Sequence, residues 1–189
     1  MTNWFTADTH FEHDNIIQYV DRPFKSTWHM NNTIINNINK KCKPDDYLYI
    51  IGDFYMLGGG RGRKVKSLQY YLDAIKCKKR IILGNHDKDT QLLGDTVSIE
   101  IPSEIGQLRM THHPETKDGI DYNLCGHIHH LWRVVKEGEH FMVNVGVDMW
   151  NYEPISLDDI AQVVQNYKDF FSGNCTERPI INEREWVFK

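Results

Sequence analysis

The chain has 189 residues, a length that fits one domain with one core and is too short for two ordinary domains. Its 12% aromatic content argues against a disordered chain, and its net charge of −4 excludes a protein that is basic over its whole surface. The four cysteines are scattered without a CxxC pair, which excludes a disulfide framework and a zinc-finger spacing. The chain lacks both an apolar run of membrane-spanning length and a visible signal peptide, so we expect a cytoplasmic protein without a membrane partner.

The first part of the chain alternates predicted strands with predicted helices. Apolar stretches at residues 3–7, 47–51 and 80–83 are typical of strands. Residues 30–41 and 65–75 carry apolar side chains at helical spacing and predict two helices.

The second part of the chain is rich in predicted strands, which fall at residues 97–101, 107–111, 122–125, 132–136 and 140–145. A helix is predicted to begin after Ser156, which suits the N-cap position and has Asp159 three residues later, and to run to about residue 170. The order of elements predicts a mixed α/β domain with more than one sheet. We expect a single domain over residues 1–189, in which the tail 172–189 packs on the body.

Residues of the types that bind metals follow five predicted strands directly. They are Asp8 and His10, Asp53, Asn85 and His86, His112, and His127 and His129. Ligands of open α/β sheets bind beyond the carboxyl ends of the strands, so five such ends would bring these side chains to one rim. The spacing of two within the first and last pairs suits two ligands of one centre, because alternate residues of an extended chain point to the same side.

The donor atoms of this set are carboxylate, imidazole and amide groups, which suit manganese, iron or zinc. Thiolates are absent from the set, which argues against a purely structural zinc site. The candidates are too many for a single ion, whereas two ions about 3.5–4 Å apart can share a carboxylate and bind a phosphate. We expect two divalent ions, with manganese favoured and iron, zinc and nickel as alternatives.

The motifs, in their order along the chain, resemble the signature of the calcineurin-like metallophosphoesterases. They are Asp8-x-His10, Gly52-Asp53, Gly84-Asn85-His86-Asp87, His112 and Gly126-His127-x-His129. Flanking segments are similar to small bacterial and phage members of that superfamily. The resemblance implies a metallophosphoesterase-type αββα sandwich, in which two mixed β-sheets pack face to face with helices on the outside.

The resemblance also implies a role for each motif residue. One ion would be held by Asp8, His10 and His129, and the other by Asn85, His112 and His127, while Asp53 would bridge both. The catalytic residues would be His86, Asn85 and Asp53. Of these, His86 would act as a general acid towards the leaving oxygen, and a hydroxide held between the ions would attack phosphorus.

Other side chains are candidates for substrate contact or for structural roles. Arg22 could clamp a phosphate or form a surface salt bridge, and the two interpretations are equally weighted. His13 could line the site or orient a ligand. His113 is expected to point away from the site, with substrate contact as the alternative, and Asp148 is expected to be structural, near the site but not in it. Asp87, which stands where the protein phosphatase branch has glutamate, argues against that branch.

The favoured function is a phosphodiesterase that acts on a nucleotide or a similar small diester. A phosphomonoesterase or a nuclease with the same core is the alternative, and a non-catalytic scaffold is less favoured because the ligand set is intact. The nuclease alternative rests on residues 61–80, which contain eight basic residues and a single acidic residue, Asp73. A solvated helix face is the preferred interpretation of that stretch, so nucleic acid is not the favoured partner.

Overall fold

The computed structural model of the protein describes residues 1–58 and 64–174. The strands are β1 (Asn3–Thr6), β2 (Phe11–His13), β3 (Tyr47–Ile51), β4 (Tyr55–Gly58), β5 (Lys78–Ile82), β6 (Ser98–Ser103), β7 (Gly106–Thr111), β8 (Tyr122–Cys125), β9 (Val134–Glu137), β10 (His140–Asn144) and β11 (Ile155–Ser156). The helices are α1 (Ile16–Tyr19), α2 (Thr27–Lys41), α3 (Leu68–Ala74), α4 (Thr90–Leu93) and α5 (Leu157–Phe171), with a 3₁₀ turn at Val147–Met149.

The first sheet has the strand order β11-β1-β3-β5, in which β1, β3 and β5 are parallel and β11 is antiparallel. Strand β3 is buried on both faces because its side chains alternate between two clusters. Ile50 packs with Ile34 of α2 and Tyr71 of α3, so these helices cover the outer face of the sheet. Ile51 points the other way, into the core between the two sheets.

The second sheet has the order β6-β7-β8-β10-β9, with β7, β8 and β10 parallel and both edge strands antiparallel. Its inner face presents Met110, Leu124 and Val143 to Phe5 of the first sheet. Helix α5 adds Ile160 and neighbouring apolar side chains to the same core. The expected sandwich of two mixed sheets with helices is therefore confirmed.

Most predicted elements form with small shifts at their ends. Strands β3 and β8 have the predicted bounds, and α5 begins with a full capping box between Ser156 and Asp159. Helix α2 starts earlier than predicted because Ser26 caps it by accepting a hydrogen bond from the His29 amide. Helix α3 starts later, since its cap is Ser67.

Three short strands were not predicted. Strands β2 and β4 pair in parallel at the rim of the first sheet, and β11 pairs with β1 over two residues. Each is too short to show a period-2 pattern in the sequence. The tail was predicted to pack on the body over residues 172–189, and its residues 175–189 lie outside the described part of the chain. Within the described ranges, no helix is both long enough and apolar enough to cross a bilayer.

Candidate metal centre

The candidate centre lies where the carboxyl ends of parallel strands from both sheets meet. Ala7, just after β1, forms a parallel bridge with Gly146, just after β10, and this bridge joins the two sheets at the rim. The predicted ligands all follow these strand ends. From the first sheet come Asp8, His10, Asp53 and Asn85, and from the second come His112, His127 and His129.

Five of these residues have a left-handed backbone, which non-glycine residues rarely adopt. The φ angles are 56° at Asp8, 48° at His10, 51° at Asp53, 70° at His127 and 49° at His129. Hydrogen bonds hold the first loops in place: the Asp8 amide donates to the Gly52 carbonyl at 3.1 Å and the His10 amide to the Asp53 carbonyl at 2.9 Å. Strained conformations of this kind persist where the surroundings fix them, and they concentrate at functional sites.

One group of donors consists of Asp8, His10 and His129, whose ligand atoms all lie within 4.8 Å of one another. The Nδ1 atom of His129 is 2.9 Å from Asp148 Oδ2, which leaves its Nε2 for a ligand. The His10 ring is 1% exposed, and neither of its nitrogens has a hydrogen-bond partner among the described residues. A buried nitrogen without a partner is unfavourable, so a bound cation is the group that fits here.

A second group of donors consists of Asn85, His112 and His127. His112 Nδ1 lies 3.1 Å from the Ile51 carbonyl oxygen, which orients the ring so that its Nε2 lies 3.0 Å from Asn85 Oδ1. His127 Nδ1 lies 3.1 Å from the same amide oxygen. Three donor atoms therefore converge on one point, as the ligands of an ion do.

Asp53 lies between the two groups. Its Oδ2 atom is 3.4 Å from His10 Nε2 in the first group and 3.3 Å from His112 Nε2 in the second. Its other oxygen accepts a hydrogen bond from the His86 amide at 2.9 Å. A carboxylate in this position can complete the donor group on either side.

The electrostatics of the carboxylates and imidazoles also fit a cation. Burial raises the pKa of Asp8 to about 6, although the neighbouring His129 and His112 oppose the shift. Burial lowers the pKa of His10 and keeps that imidazole neutral. Burial would raise the pKa of Asp53, but the hydrogen bond and charge of His112 outweigh it and hold the pKa below its usual range. The centre thus contains a buried carboxylate whose charge needs a cation.

Two glycines let the ligands approach the backbone closely. Gly52 has a φ of +81°, and a Cβ atom there would lie 2.2 Å from His112 Nδ1. At Gly84 a Cβ atom would lie 2.2 Å from Asp53 Oδ1. Any side chain at either position would displace a ligand.

The Gly84→Ala variant should therefore bind metal at least about tenfold more weakly, because the new methyl group pushes Asp53 from its place. Isothermal titration calorimetry of the metal-stripped protein with Mn²⁺ measures this affinity. The control is Gly119→Ala, which has nothing within 4 Å of its Cβ position among the described residues; its φ of +78° strains an alanine, so this variant should lose some stability but keep its Mn²⁺ affinity. Unchanged Mn²⁺ affinity in Gly84→Ala would show that Asp53 does not depend on this close approach.

The remaining motif residues lie around the donor groups. The partly exposed His86 ring has its centroid 5.6 Å from that of His10, at the mouth of the centre. His13 lies beside both rings, 5.3 Å from His10 and 6.5 Å from His86, and burial lowers its pKa. Asp87 accepts hydrogen bonds at 2.9 Å from the amides of Phe54 and Gly84, so it ties together the loops that carry Asp53 and Asn85.

The structure corrects both interpretations of Arg22. Its side chain is 0% exposed, and its Nε and Nη2 atoms bind the Asp148 carboxylate at 2.8 and 2.9 Å. Nη2 also donates to the Asp8 carbonyl at 2.7 Å, and Nη1 to the Thr9 carbonyl at 3.2 Å. The guanidinium is thus neither a phosphate clamp nor part of a surface pair, because it supports the Asp8 loop from inside.

Two neighbouring residues lie beside the donors. Asp148 has the expected structural place near the site, since it binds His129 and Arg22 at once, and these contacts hold its pKa below the usual range despite burial. His113 does not point away, because its ring centroid is 4.1 Å from that of His127. Its ligand atom lies within 4.8 Å of those of His112 and His127.

The fold and the donor set are those that the resemblance to the calcineurin-like metallophosphoesterases implies. No family profile matches the sequence. The chain is 30% identical over 172 residues to the uncharacterized protein MJ1445 of Methanocaldococcus jannaschii, an alignment that covers 87% of this chain and 92% of that protein. It belongs to the same family as that archaeal protein.

Solved structures extend the comparison. The protein of unknown function AQ665 from Aquifex aeolicus aligns with a TM-score of 0.66 and 26% identity, over 86% of this chain and 98% of that one. The phosphoesterase Yfce from E. coli aligns with a TM-score of 0.44 and 18% identity, over 83% of this chain and 82% of that one. The latter similarity is too low to support a conclusion about this chain.

Proposed function

We propose that the protein is a phosphodiesterase that depends on two divalent metal ions and acts on a nucleotide or a similar small diester. The observation that carries this proposal is the place of Asp53 Oδ2, 3.4 Å from His10 Nε2 and 3.3 Å from His112 Nε2. Two donor groups that share one carboxylate suit a pair of ions, whereas a single ion would leave half of the donors unused.

The residues divide between the two ions by their positions. Asp8, His10 and His129 would hold one ion, and Asn85, His112 and His127 would hold the other, with Asp53 shared. When bound, the ions supply an activated water and neutralise the charge on the phosphoryl oxygens. The mixture of oxygen and nitrogen donors favours manganese, with iron, zinc and nickel as alternatives.

His86 is proposed to protonate the leaving group. A water that has lost one proton to solvent bonds to phosphorus through its oxygen, the bond from phosphorus to the leaving oxygen breaks, and the His86 side chain gives its proton to that oxygen. The partly exposed ring lies at the mouth, and the hydrogen bond from its amide to Asp53 Oδ1 fixes its distance from the centre. Asn85 is proposed to stabilise charge on the phosphoryl group through its amide.

Hydrolysis assays with metal-stripped protein and added Mn²⁺ test this proposal. The substrates are bis(p-nitrophenyl) phosphate, p-nitrophenyl phosphate and single-stranded DNA. We expect metal-dependent turnover that is fastest on the small diester. Faster turnover of the monoester or of DNA would favour a phosphomonoesterase or a nuclease. A folded protein that binds metal but turns over no substrate with any divalent ion would favour a scaffold.

The His86→Ala variant should lose about 10²–10⁴ in kcat on bis(p-nitrophenyl) phosphate, because general acid catalysis contributes about that much. Its Mn²⁺ content should stay at the wild-type value, since His86 is not among the donors. The exposed His29 on α2 provides the matched control as His29→Ala. Equal rates in His86→Ala and wild type would rule out the proposed role.

A further inference from the structure

A groove of about 420 Å³ opens beside the metal centre. The segment 12–18 forms a wall common to both, because Glu12 and Gln18 line the groove while the ring of His13 lies 5.3 Å from that of His10. The other sides of the groove are lined by Lys25, Trp28, Asn31, Lys64, Lys66 and Tyr70. Segment 12–18 therefore separates the groove from the donor groups, and a ligand that occupies both would pass over this segment.

Two large aromatic side chains in the groove are exposed. Trp28 is 73% exposed and Tyr70 is 43% exposed. Neither belongs to an apolar core cluster, and the more exposed Trp28 offers its face to a flat ligand. Stacking of a nucleobase on such faces tolerates any base and contributes substantially to nucleotide binding.

The charged side chains of the groove favour an anion. Three lysines line it, and the ammonium group of Lys66 lies 4.9 Å from the centroid of the Tyr70 ring. Two carboxylates oppose them, but each accepts hydrogen bonds within the protein. Glu12 accepts from the Tyr71 hydroxyl, and Asp14 accepts from the Thr27 hydroxyl. Three ammonium groups against two carboxylates leave the groove with a positive balance of charge, which favours phosphate oxygens.

Asn31 adds a buried acceptor to the groove. It is 3% exposed, and its Nδ2 donates to the Tyr71 hydroxyl at 2.7 Å and to Glu12 at 3.3 Å. Its Oδ1 has no hydrogen-bond partner within the part of the chain that the structure describes. A buried amide oxygen without a donor is unfavourable, and a ligand N–H, such as that of a nucleobase, would satisfy it.

We propose that this groove binds the nucleoside part of a nucleotide diester whose scissile phosphate lies at the metal centre. The base stacks on the exposed aromatic side chains and reaches Asn31, while the lysines face its phosphate oxygens. This proposal rests on the proposed function, and it narrows the substrate class to esters of nucleotides.

The test compares two diesters that share one leaving group, the p-nitrophenyl ester of thymidine 5′-monophosphate and bis(p-nitrophenyl) phosphate. We expect wild-type kcat/KM to be higher for the thymidine ester. The ratio of the two values should fall about tenfold in Trp28→Ala and in Lys66→Ala, because only the first substrate carries a nucleoside. The controls Phe171→Ala and Lys136→Ala change an exposed aromatic residue and an exposed lysine elsewhere and should leave the ratio unchanged.

Equilibrium binding of thymidine 5′-monophosphate to the metal-stripped protein separates the groove from the chemistry. We expect saturable binding that weakens about tenfold in Trp28→Ala. The groove proposal alone would be overturned if the protein hydrolyses bis(p-nitrophenyl) phosphate but does not bind the nucleotide. In that case the ratio of the two kcat/KM values would also be the same in wild type, Trp28→Ala and Lys66→Ala. Nucleotide binding that depends on Trp28, in a protein without turnover, would support the groove and reject the hydrolytic function.

Discussion

The Asp53→Asn variant should lose a factor on the order of 10³ in kcat/KM for bis(p-nitrophenyl) phosphate. Asparagine has nearly the same volume, so the fold should persist, but it lacks the negative charge that two donor groups share. The contacts of Asp53 Oδ2 with His10 and His112, at 3.4 and 3.3 Å, place the change between both proposed ions. Metal content, measured after gel filtration, should fall together with the rate.

A matched control for Asp53→Asn is Asp45→Asn. Asp45 is an exposed aspartate whose carboxylate lies 3.6 Å from the ammonium group of Lys78 at the surface. This variant removes the same charge from the chain without touching the centre, so its rate and metal content should match those of the wild type. Wild-type turnover in Asp53→Asn would exclude a shared carboxylate and with it the dinuclear proposal.

Replacement of Arg22 by methionine should lower the free energy of unfolding by about 3–5 kcal/mol, because it removes the guanidinium that binds both oxygens of the buried Asp148 carboxylate. The Arg22 side chain is 0% exposed and that of Asp148 is 4% exposed, so solvent cannot replace the lost partner. Urea denaturation of the metal-stripped protein measures the change without a contribution from bound metal.

Two further variants test the cause of this loss. In Arg22→Met with Asp148→Leu, both charges are gone, so the stability should recover part of the loss and a double-mutant cycle should show strong coupling. Lys117→Met breaks a pair with Glu100 whose side chains are 50% and 40% exposed, and it should change stability by less than about 1 kcal/mol. An effect of Arg22→Met as small as that of Lys117→Met would contradict the buried-pair argument.

The positions of the candidate ligands at one rim could be predicted from the sequence because each follows a strand with a local pattern. Strand β3 is a continuous apolar run and β8 is apolar apart from Asn123; glycine follows each directly, and the next residue is a candidate donor. Local hydrophobicity and turn residues are thus enough to place Asp53 and His127 at a rim.

The partners that support the ligands could not be predicted, because they come from distant parts of the chain. Arg22 and Asp148 are 126 residues apart, and the hydrogen bond from the Tyr71 hydroxyl to Glu12 spans 59 residues. The local sequence around a single arginine or aspartate does not indicate which distant residue it will contact. The pairing of β2 with β4 was missed for the same reason, since only the folded chain brings these short segments together.

The seam between the two sheets, marked by the bridge from Ala7 to Gly146, has a consequence for folding. Each proposed ion would take ligands from both sides of that seam: His10 and His129 meet at one position, and Asn85 and His112 at the other. The ions would then stabilise the packing of one sheet against the other, because neither site is complete until the sheets have docked. Metal at about 100 times its dissociation constant would add about 2.7 kcal/mol to the stability of the docked state. In the metal-free protein, we expect the two sheets to separate along this seam before the rest of the fold is lost.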